Sequence, residues 1–196
     1  MKLLLYCTKA KPYLADFKGE YQTYSNGKEL DELFDKGFNL NDIMNILNGK
    51  IAAECDFEVE DLRIVDDDPL GAYWYETKTL SENEVLKKSC LTGDELFDYL
   101  GEDNEGYAIH IKNLHIFDKP RDIRNYYNIA TRTMADCMNQ KALLKAPQNM
   151  CNAYDVYKNH YILISIQPQW LCKILNGEKT IEVRKKVLKE MLEWQD

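Results

Sequence analysis

Residues 161–184 have the sequence YILISIQPQWLCKILNGEKTIEVR, which contains the clearest signals of secondary structure in the chain. Its first six residues form an apolar run typical of a buried strand, and Pro168 suits the first position of a helix. The helix shows an apolar stripe at helical spacing and ends before Gly177. The alternation of Thr180 to Arg184 predicts a second strand. The segment is therefore strand, short helix, glycine turn and strand, and an α+β domain rich in strands is its natural assembly.

Further strands and helices are expected on the N-terminal side of this segment. Apolar and acidic residues alternate from Lys50 to Glu60, which predicts a half-buried strand with an acidic outer face. Thr92-Gly93-Asp94-Glu95 is a capping box, which predicts a helix that ends at Gly101. The other expected elements are strands at 2–8, 107–111 and 114–117, and helices at 40–47, 81–89 and 123–138.

The composition excludes several classes of protein. With 196 residues, 45% hydrophobic and 30% charged, the chain is an ordinary globular mixture of single-domain size. Its apolar runs are far shorter than the ~20 residues that span a bilayer. The apolar run after Met1 is too short for a secretory signal. We therefore expect a cytoplasmic protein without membrane contact.

The six cysteines and three histidines do not predict a metal site or a disulfide framework. The closest two cysteines are 14 residues apart, and no histidine clusters with a cysteine. Zinc sites usually draw their ligands from closely spaced pairs. We interpret the cysteines as reduced core residues, and we expect no metal and no cofactor.

Charge is distributed unevenly along the chain. The net charge is -8, which argues against a protein that coats DNA. Residues 1–14, however, contain three lysines and no acid, and residues 170–189 contain six basic and two acidic residues. The ends of a domain often lie close together, so these segments could form a basic patch on an acidic body. Solvated lysines at frayed ends are an equally good interpretation.

Gly177, Lys179, Glu182 and Arg184 have the spacing Gly-x-Lys-x-x-Glu-x-Arg, and an Ile-Ser-Ile-x-Pro strand and a helix precede them. This combination resembles the signature of the ASCH domain family, whose members are PUA-like β-barrels related in fold to RNA-modification modules. The resemblance implies an α+β, PUA-like mixed β-barrel with flanking helices. It implies a single domain over residues 1–196, with the signature at 161–186 and insertions or linkers near 15–47 and 121–145.

The order of the family's elements looks circularly permuted in this chain. In most members the signature opens the domain and a Tyr-x-Thr strand follows it, whereas here Tyr6-Cys7-Thr8 lies at the start and the signature lies near the end. A closed barrel with adjacent ends tolerates such a rearrangement. The permutation predicts that the strand at 3–8 lies next to the strand at 180–184.

The resemblance also implies a binding site for RNA or a nucleotide at the mouth of a cleft. Lys179 and Arg184 would bind phosphate there, arginine by its two-pronged fork. Tyr6 and Thr8 would lie beside them, and the ring of Tyr6 or Trp170 would stack on a base. In the alternative interpretation, Glu182 and Arg184 are an ion pair that only holds the barrel mouth.

Two other functions stay open. Some ASCH-like proteins are amidohydrolases that act on acetylated cytidine, and a nuclease activity is also associated with the family. For the amidohydrolase the resemblance implies Lys179 and Glu182 as catalytic candidates, with Glu182 at the position where those hydrolases have threonine. For the nuclease the candidates would be Lys179, Arg184 and Tyr6. The second alternative is a protein-interaction scaffold without a ligand. A deep cleft that holds Lys179 would favour binding or hydrolysis over the scaffold.

Overall fold

The structure, a computed structural model, describes residues 1–9, 37–65, 74–101, 105–128 and 144–194. Over these residues it has seven strands and a few helices, and the α+β class is the one that the sequence predicts. The strands are β1 (Lys2–Cys7), β2 (Ile51–Val65), β3 (Trp74–Glu76), β4 (Gly106–Arg121), β5 (Met150–Tyr154), β6 (His160–Ile166) and β7 (Ile181–Arg184).

The helices are short. They are α1 (Leu40–Asp42), which continues as a π-helical segment (Ile43–Leu47), α2 (Glu82–Ser89), α3 (Gly93–Leu100), α4 (Pro168–Leu175) and α5 (Lys189–Glu193). A 3-10 turn, Ile123–Asn125, follows β4. Among the described residues, no helix has the length and apolar character needed to cross a bilayer.

The strands form one mixed sheet in the order β5-β6-β1-β2-β4-β7, and β3 pairs with β2. β1 and β6 are parallel, whereas the pairs β1–β2, β4–β7 and β5–β6 are antiparallel. Within the described ranges the sheet does not close into a barrel, so the predicted barrel is wrong. Alternation along a strand indicates which side is buried, but it carries no information on whether two edge strands pair.

The predicted position of the first strand is also wrong. β1 pairs with β2 and β6, and the parallel register with β6 runs from Lys2 opposite Tyr161 to Cys7 opposite Ile166. β7 pairs instead with β4. The start of the chain therefore lies beside the first strand of the signature, not beside the second.

Most predicted elements are confirmed, with three kinds of difference. β4 is one strand where two were expected, because it continues through Asn113 with a φ of 48°. Only Ile123–Asn125 of the helix expected at 123–138 is helical among the described residues, and residues 129–143 lie outside them. β3, β5 and α5 were not predicted. The expected insertions near 15–47 and 121–145 lie partly outside the described residues.

The chain divides into two compact units, each made from two stretches of sequence. Unit 1 comprises residues 1–56 and 113–176, and unit 2 comprises residues 57–112 and 177–196. In unit 1, β1 has strand neighbours on both edges and is buried from Leu3 to Cys7. One core cluster of unit 1 consists of Leu4, Tyr6, Ile51, Phe117, Tyr126, Leu144, Ala153 and Leu163.

Unit 2 has a core of its own, in which helices α2 and α3 and strand β7 take part. Both helices begin with a capping box, at Ser81 and at Thr92. The core consists of Leu62, Tyr75, Leu80, Val85, Leu96, Leu100, Ala108, Ile181 and Val183. Because Ile181 and Val183 point into this core, the polar residues of β7 occupy the opposite face of the strand.

Candidate functional site

The segment that precedes β7 closes the C-terminal end of α2. The backbone amide of Thr180 donates to the carbonyl of Lys88 at 2.9 Å, and the Nζ atom of Lys179 donates to the carbonyl of Ser89 at 2.6 Å. The Sγ atom of Cys90 lies 3.5 Å from the carbonyl oxygen of Glu178. The last four carbonyls of a helix have no partner within the helix, so this segment supplies partners that α2 lacks.

Lys179 is almost fully enclosed at this point. Its side chain is 3% exposed, and its Nζ atom lies 3.4 Å from Oε2 of Glu182. Burial lowers the pKa of Lys179 below its usual value, although the charge of Glu182 acts in the opposite direction. A cation at the C-terminal end of a helix also complements the helix dipole. The geometry therefore gives Lys179 a defined structural task, which is to cap α2.

Glu182 and Arg184 lie two residues apart on β7 and share one face of the strand. A guanidinium nitrogen of Arg184 lies 2.8 Å from Oε1 of Glu182, and their side chains are 13% and 10% exposed. The carboxylate of Glu182 is thus shared by two basic side chains. We call Lys179, Glu182 and Arg184 the β7 charge cluster.

The facing predicted for this strand is confirmed on its apolar side. Ile181 is 0% and Val183 4% exposed. The cleft expected around Glu182 and Arg184 stays a prediction. In the structure both side chains are largely enclosed. A groove of about 650 Å³ in unit 2 is lined by other residues: Glu58, Val59, Glu60, Asp61, Arg63, Glu76, Thr77, Lys78 and Leu192.

The other predicted site residues belong to unit 1. Tyr6 is 2% exposed and packs in the core, and burial raises the pKa of its hydroxyl. The backbone amide of Thr8 donates to the carbonyl of Ile166 at 2.9 Å. Trp170 lies half-buried on α4, with the Nζ atom of Lys173 5.1 Å from its ring centre. In this conformation Tyr6 is a core residue that offers no ring face to a ligand. Binding roles for Thr8 and Trp170 stay predictions.

Sequence reasoning missed the carbonyls of Lys88 and Ser89, which hold the signature segment in place. A signal for them exists. The helix predicted at 81–89 has no glycine after its last residue, and Cys90 adopts the left-handed conformation with a φ of 56°. The last carbonyls of a helix need partners from outside it, so the end of a predicted helix is a place where a distant part of the chain can bind.

No group of three or more histidine, cysteine or carboxylate side chains comes together as a metal site in the described part of the chain. Comparisons of the sequence with models of known protein families and with curated proteins, and of the fold with solved structures, found no match. The ASCH resemblance of residues 161–186 therefore rests on the residues of this chain alone.

Proposed function

We propose that this chain is an ASCH-type protein of PUA-like character that binds single-stranded RNA or a nucleotide, with Arg184 as its phosphate contact. The observation that carries the proposal is the β7 charge cluster, in which two basic side chains share one carboxylate at 3.4 and 2.8 Å. An anion that approaches this cluster meets two basic side chains in a place where water screens little. The four signature residues supply both cations and the turn before them.

Arg184 is better suited to this contact than Lys179. Its side chain is 13% exposed, whereas that of Lys179 is 3% exposed and caps α2. Arginine donates to two phosphate oxygens at once through its planar fork. The next residue, Lys185, is exposed, so a phosphate that approaches the end of β7 meets further positive charge.

Gly177 completes the argument for the position of the cluster. Its φ of 74° lies in the left-handed region, which lets the chain turn out of α4 immediately before the cluster. A side chain at this position would strain the turn. The glycine at position 177 is therefore a requirement of the backbone as well as part of the family resemblance.

The test is a titration of labelled single-stranded RNA and of free nucleotides at a low and a moderate salt concentration. Arg184→Lys keeps the charge but removes the fork, and we expect its affinity to fall by roughly tenfold, the scale of one charge-assisted hydrogen bond. Lys186→Ala is the matched control and should change affinity much less. Wild-type affinity should fall with salt along a shallow slope, since few phosphates are touched. Absence of wild-type binding at low salt would contradict the proposal.

One observation favours the scaffold alternative. Lys179 is committed to the carbonyl of Ser89 and to Glu182, which is what a purely structural ion cluster requires. If Arg184→Lys and the wild type bind RNA and nucleotides equally, the cluster only fastens β7 to α2. In that case the protein acts through its surface rather than through the signature.

The hydrolase alternative draws on the lowered pKa of Lys179, since a lysine that serves as a base must lose its proton near neutral pH. It would require Lys179 to become exposed during the reaction. Incubation with acetylated cytidine and with RNA tests it. Turnover by the wild type that Lys179→Met abolishes, in a folded variant, would favour hydrolysis by the same cluster.

A further inference from the structure

The turn between β5 and β6 carries the most exposed aromatic ring of the described residues. Tyr157 is 84% exposed, and its neighbour Val156 is 59% exposed. We call residues 155–159 the β5–β6 turn. A tyrosine displayed in this way contributes nothing to the core of unit 1, so folding does not explain its presence.

The β5–β6 turn is held in one conformation by its first residue. The carboxylate of Asp155 accepts hydrogen bonds from the backbone amides of Tyr157 and Asn159, both at 2.9 Å, and from the side-chain amide of Asn159 at 2.8 Å. The hydroxyl of Tyr161 lies 3.4 Å from the same carboxylate. Partial burial acts to raise the pKa of Asp155, but the hydrogen bonds from Asn159, Tyr157 and Tyr161 outweigh it and lower the pKa. A turn that is ordered before binding loses little entropy when a ligand arrives.

The β5–β6 turn contains one acid and one cation. Asp155 is the only acid between residues 150 and 166, and its carboxylate is engaged by donors of the turn itself. Lys158 directly follows the exposed ring, is exposed, and has a φ of 67°. A ring with an adjacent cation matches the two parts of a nucleotide, which are a flat base and an anionic phosphate.

A second aromatic surface lies at the foot of the turn. Tyr154 and His160 form the last cross-strand pair of β5 and β6, and their rings stack with centres 4.6 Å apart and planes 10° apart. The Nε2 atom of His160 lies 2.8 Å from Oδ1 of Asn152, which fixes the orientation of the imidazole. Both residues are partly exposed, and the ring of Tyr127 lies 6.0 Å from that of Tyr154, so three aromatic rings support the foot of the turn.

We infer that the β5–β6 turn is a contact site for single-stranded nucleic acid, in which a base stacks on Tyr157 and the neighbouring phosphate pairs with Lys158. This site lies in unit 1 and is separate from the role proposed for Arg184, so either can fail without the other. A protein partner is the rival occupant. Apart from Val156, however, the residues around Tyr157 in the turn are polar or charged, which suits a nucleotide better than an apolar pocket.

The experiment combines photo-crosslinking with titration of the full chain. Short single-stranded oligonucleotides that contain thiouridine are irradiated with the protein, and mass spectrometry locates the linked peptide, which should contain Tyr157 or Lys158. Tyr157→Ala should weaken binding by roughly 5- to 150-fold, because one base stacked on an aromatic ring contributes about 1–3 kcal/mol. Tyr157→Phe should bind as the wild type does. Tyr157 is so exposed that neither variant should perturb folding.

Two controls connect any loss to stacking. Trp194→Ala removes another exposed aromatic ring, which lies at the end of α5 in unit 2, and should leave affinity unchanged. An abasic oligonucleotide should bind wild type and Tyr157→Ala equally, because it has no base to stack.

The outcomes are distinguishable from those of the Arg184 test. Unchanged affinity of Tyr157→Ala, with crosslinks confined to other peptides, overturns this inference even if Arg184→Lys weakens binding. A loss with Tyr157→Ala but not with Arg184→Lys supports it and contradicts the role of Arg184. If Tyr157→Ala changes only the mass measured by light scattering, the turn joins copies of the chain and the inference is wrong.

Discussion

Each unit of this protein contains a carboxylate shared by two cations, but the two arrangements differ in burial. In the β7 charge cluster of unit 2, the side chains of Lys179, Glu182 and Arg184 are 3%, 10% and 13% exposed. In unit 1, Asp122 contacts Lys50 at 2.9 Å and Arg124 at 2.7 Å, with exposures of 24%, 40% and 73%. We call the second group the surface cluster.

Burial changes what each cluster does for the protein. Water and salt screen the surface cluster, so its members contribute little to stability even at good distances. The side chains of the β7 charge cluster are largely removed from water, so each needs the others as ionic partners. Lys179 also needs the carbonyl of Ser89 as a hydrogen-bond acceptor. For the same reason, an anion that reaches the β7 charge cluster would be bound more strongly than one at the surface cluster.

Strand β7 offers the most severe test of this comparison. Val183→Asp would place a charge without any partner on the core side of the strand, and we expect it to lower the free energy of unfolding by at least about 4 kcal/mol. Val156→Asp, at an exposed position, is the control. Denaturant unfolding measures both. A loss below about 1 kcal/mol, the scale of an ordinary surface change, would show that β7 faces the other way.

The buried carboxylate gives the next largest effect. Glu182→Ala leaves two enclosed cations without their anion and should cost about 3–5 kcal/mol of stability. Chemical denaturation at neutral pH measures this loss. A loss below about 1 kcal/mol, the scale of a surface ion pair, would mean that the β7 charge cluster is solvated. The two clusters would then not differ in burial.

Buried cysteine thiols show the effect of burial on groups that are uncharged in the folded protein. Burial raises the pKa of Cys7 and of Cys55 to about 12 and that of Cys151 to about 11, from an ordinary value of 9.0. As the pH rises, these thiols lose their protons at a lower pH in the unfolded chain than in the folded protein. Their contribution to stability is therefore complete below pH 9.0 and is lost as the pH rises toward the folded values.

We expect the free energy of unfolding to fall above pH 9.0 with a slope of up to about 1.4 kcal/mol per pH unit for each thiol. Cys55→Ala should reduce that slope by the contribution of one thiol. Unfolding curves under reducing conditions between pH 8 and 10.5 provide the measurement. A slope that is identical in the variant would show that Cys55 is not enclosed.

The surface cluster gives the smallest effect. Hydrogen bonds from Arg124 and Lys50 hold the pKa of Asp122 well below its usual range, yet these partners are largely exposed. Asp122→Asn should therefore change stability by less than about 1 kcal/mol, and added salt should reduce the difference further. A loss as large as that of Glu182→Ala would contradict the distinction between the two clusters.

Local structure was predictable wherever a short stretch of sequence determines it. The capping box at Thr92, the proline at 168 and the glycine at 177 each mark a helix boundary that the structure confirms. The alternation in β7 gave the correct buried face. These signals work because the interactions that they describe lie within a few residues of one another.

Arrangements that join distant residues were not predictable. The pairing of β1 with β6 sets residue 2 opposite residue 161, and no pattern within either strand specifies that partner. Tyr6 was assigned to a ligand from the family resemblance, but residues on both faces of β1 are buried in the structure. Lys179 looked like an exposed cation, since its partner is a backbone carbonyl 90 residues away.

The role of Arg184 can be measured on the wild-type protein. Nitrogen-15 spectra of the arginine side chains, recorded while a short single-stranded RNA is added, report which guanidinium groups meet phosphate. Arg184→Lys assigns its resonance, and the exposed Arg63 and Arg124 serve as internal references. We predict a saturable shift of the Arg184 resonance at low salt that added salt reverses. Saturation of the protein without any change at Arg184, or shifts confined to Arg63 and Arg124, would contradict the proposed function.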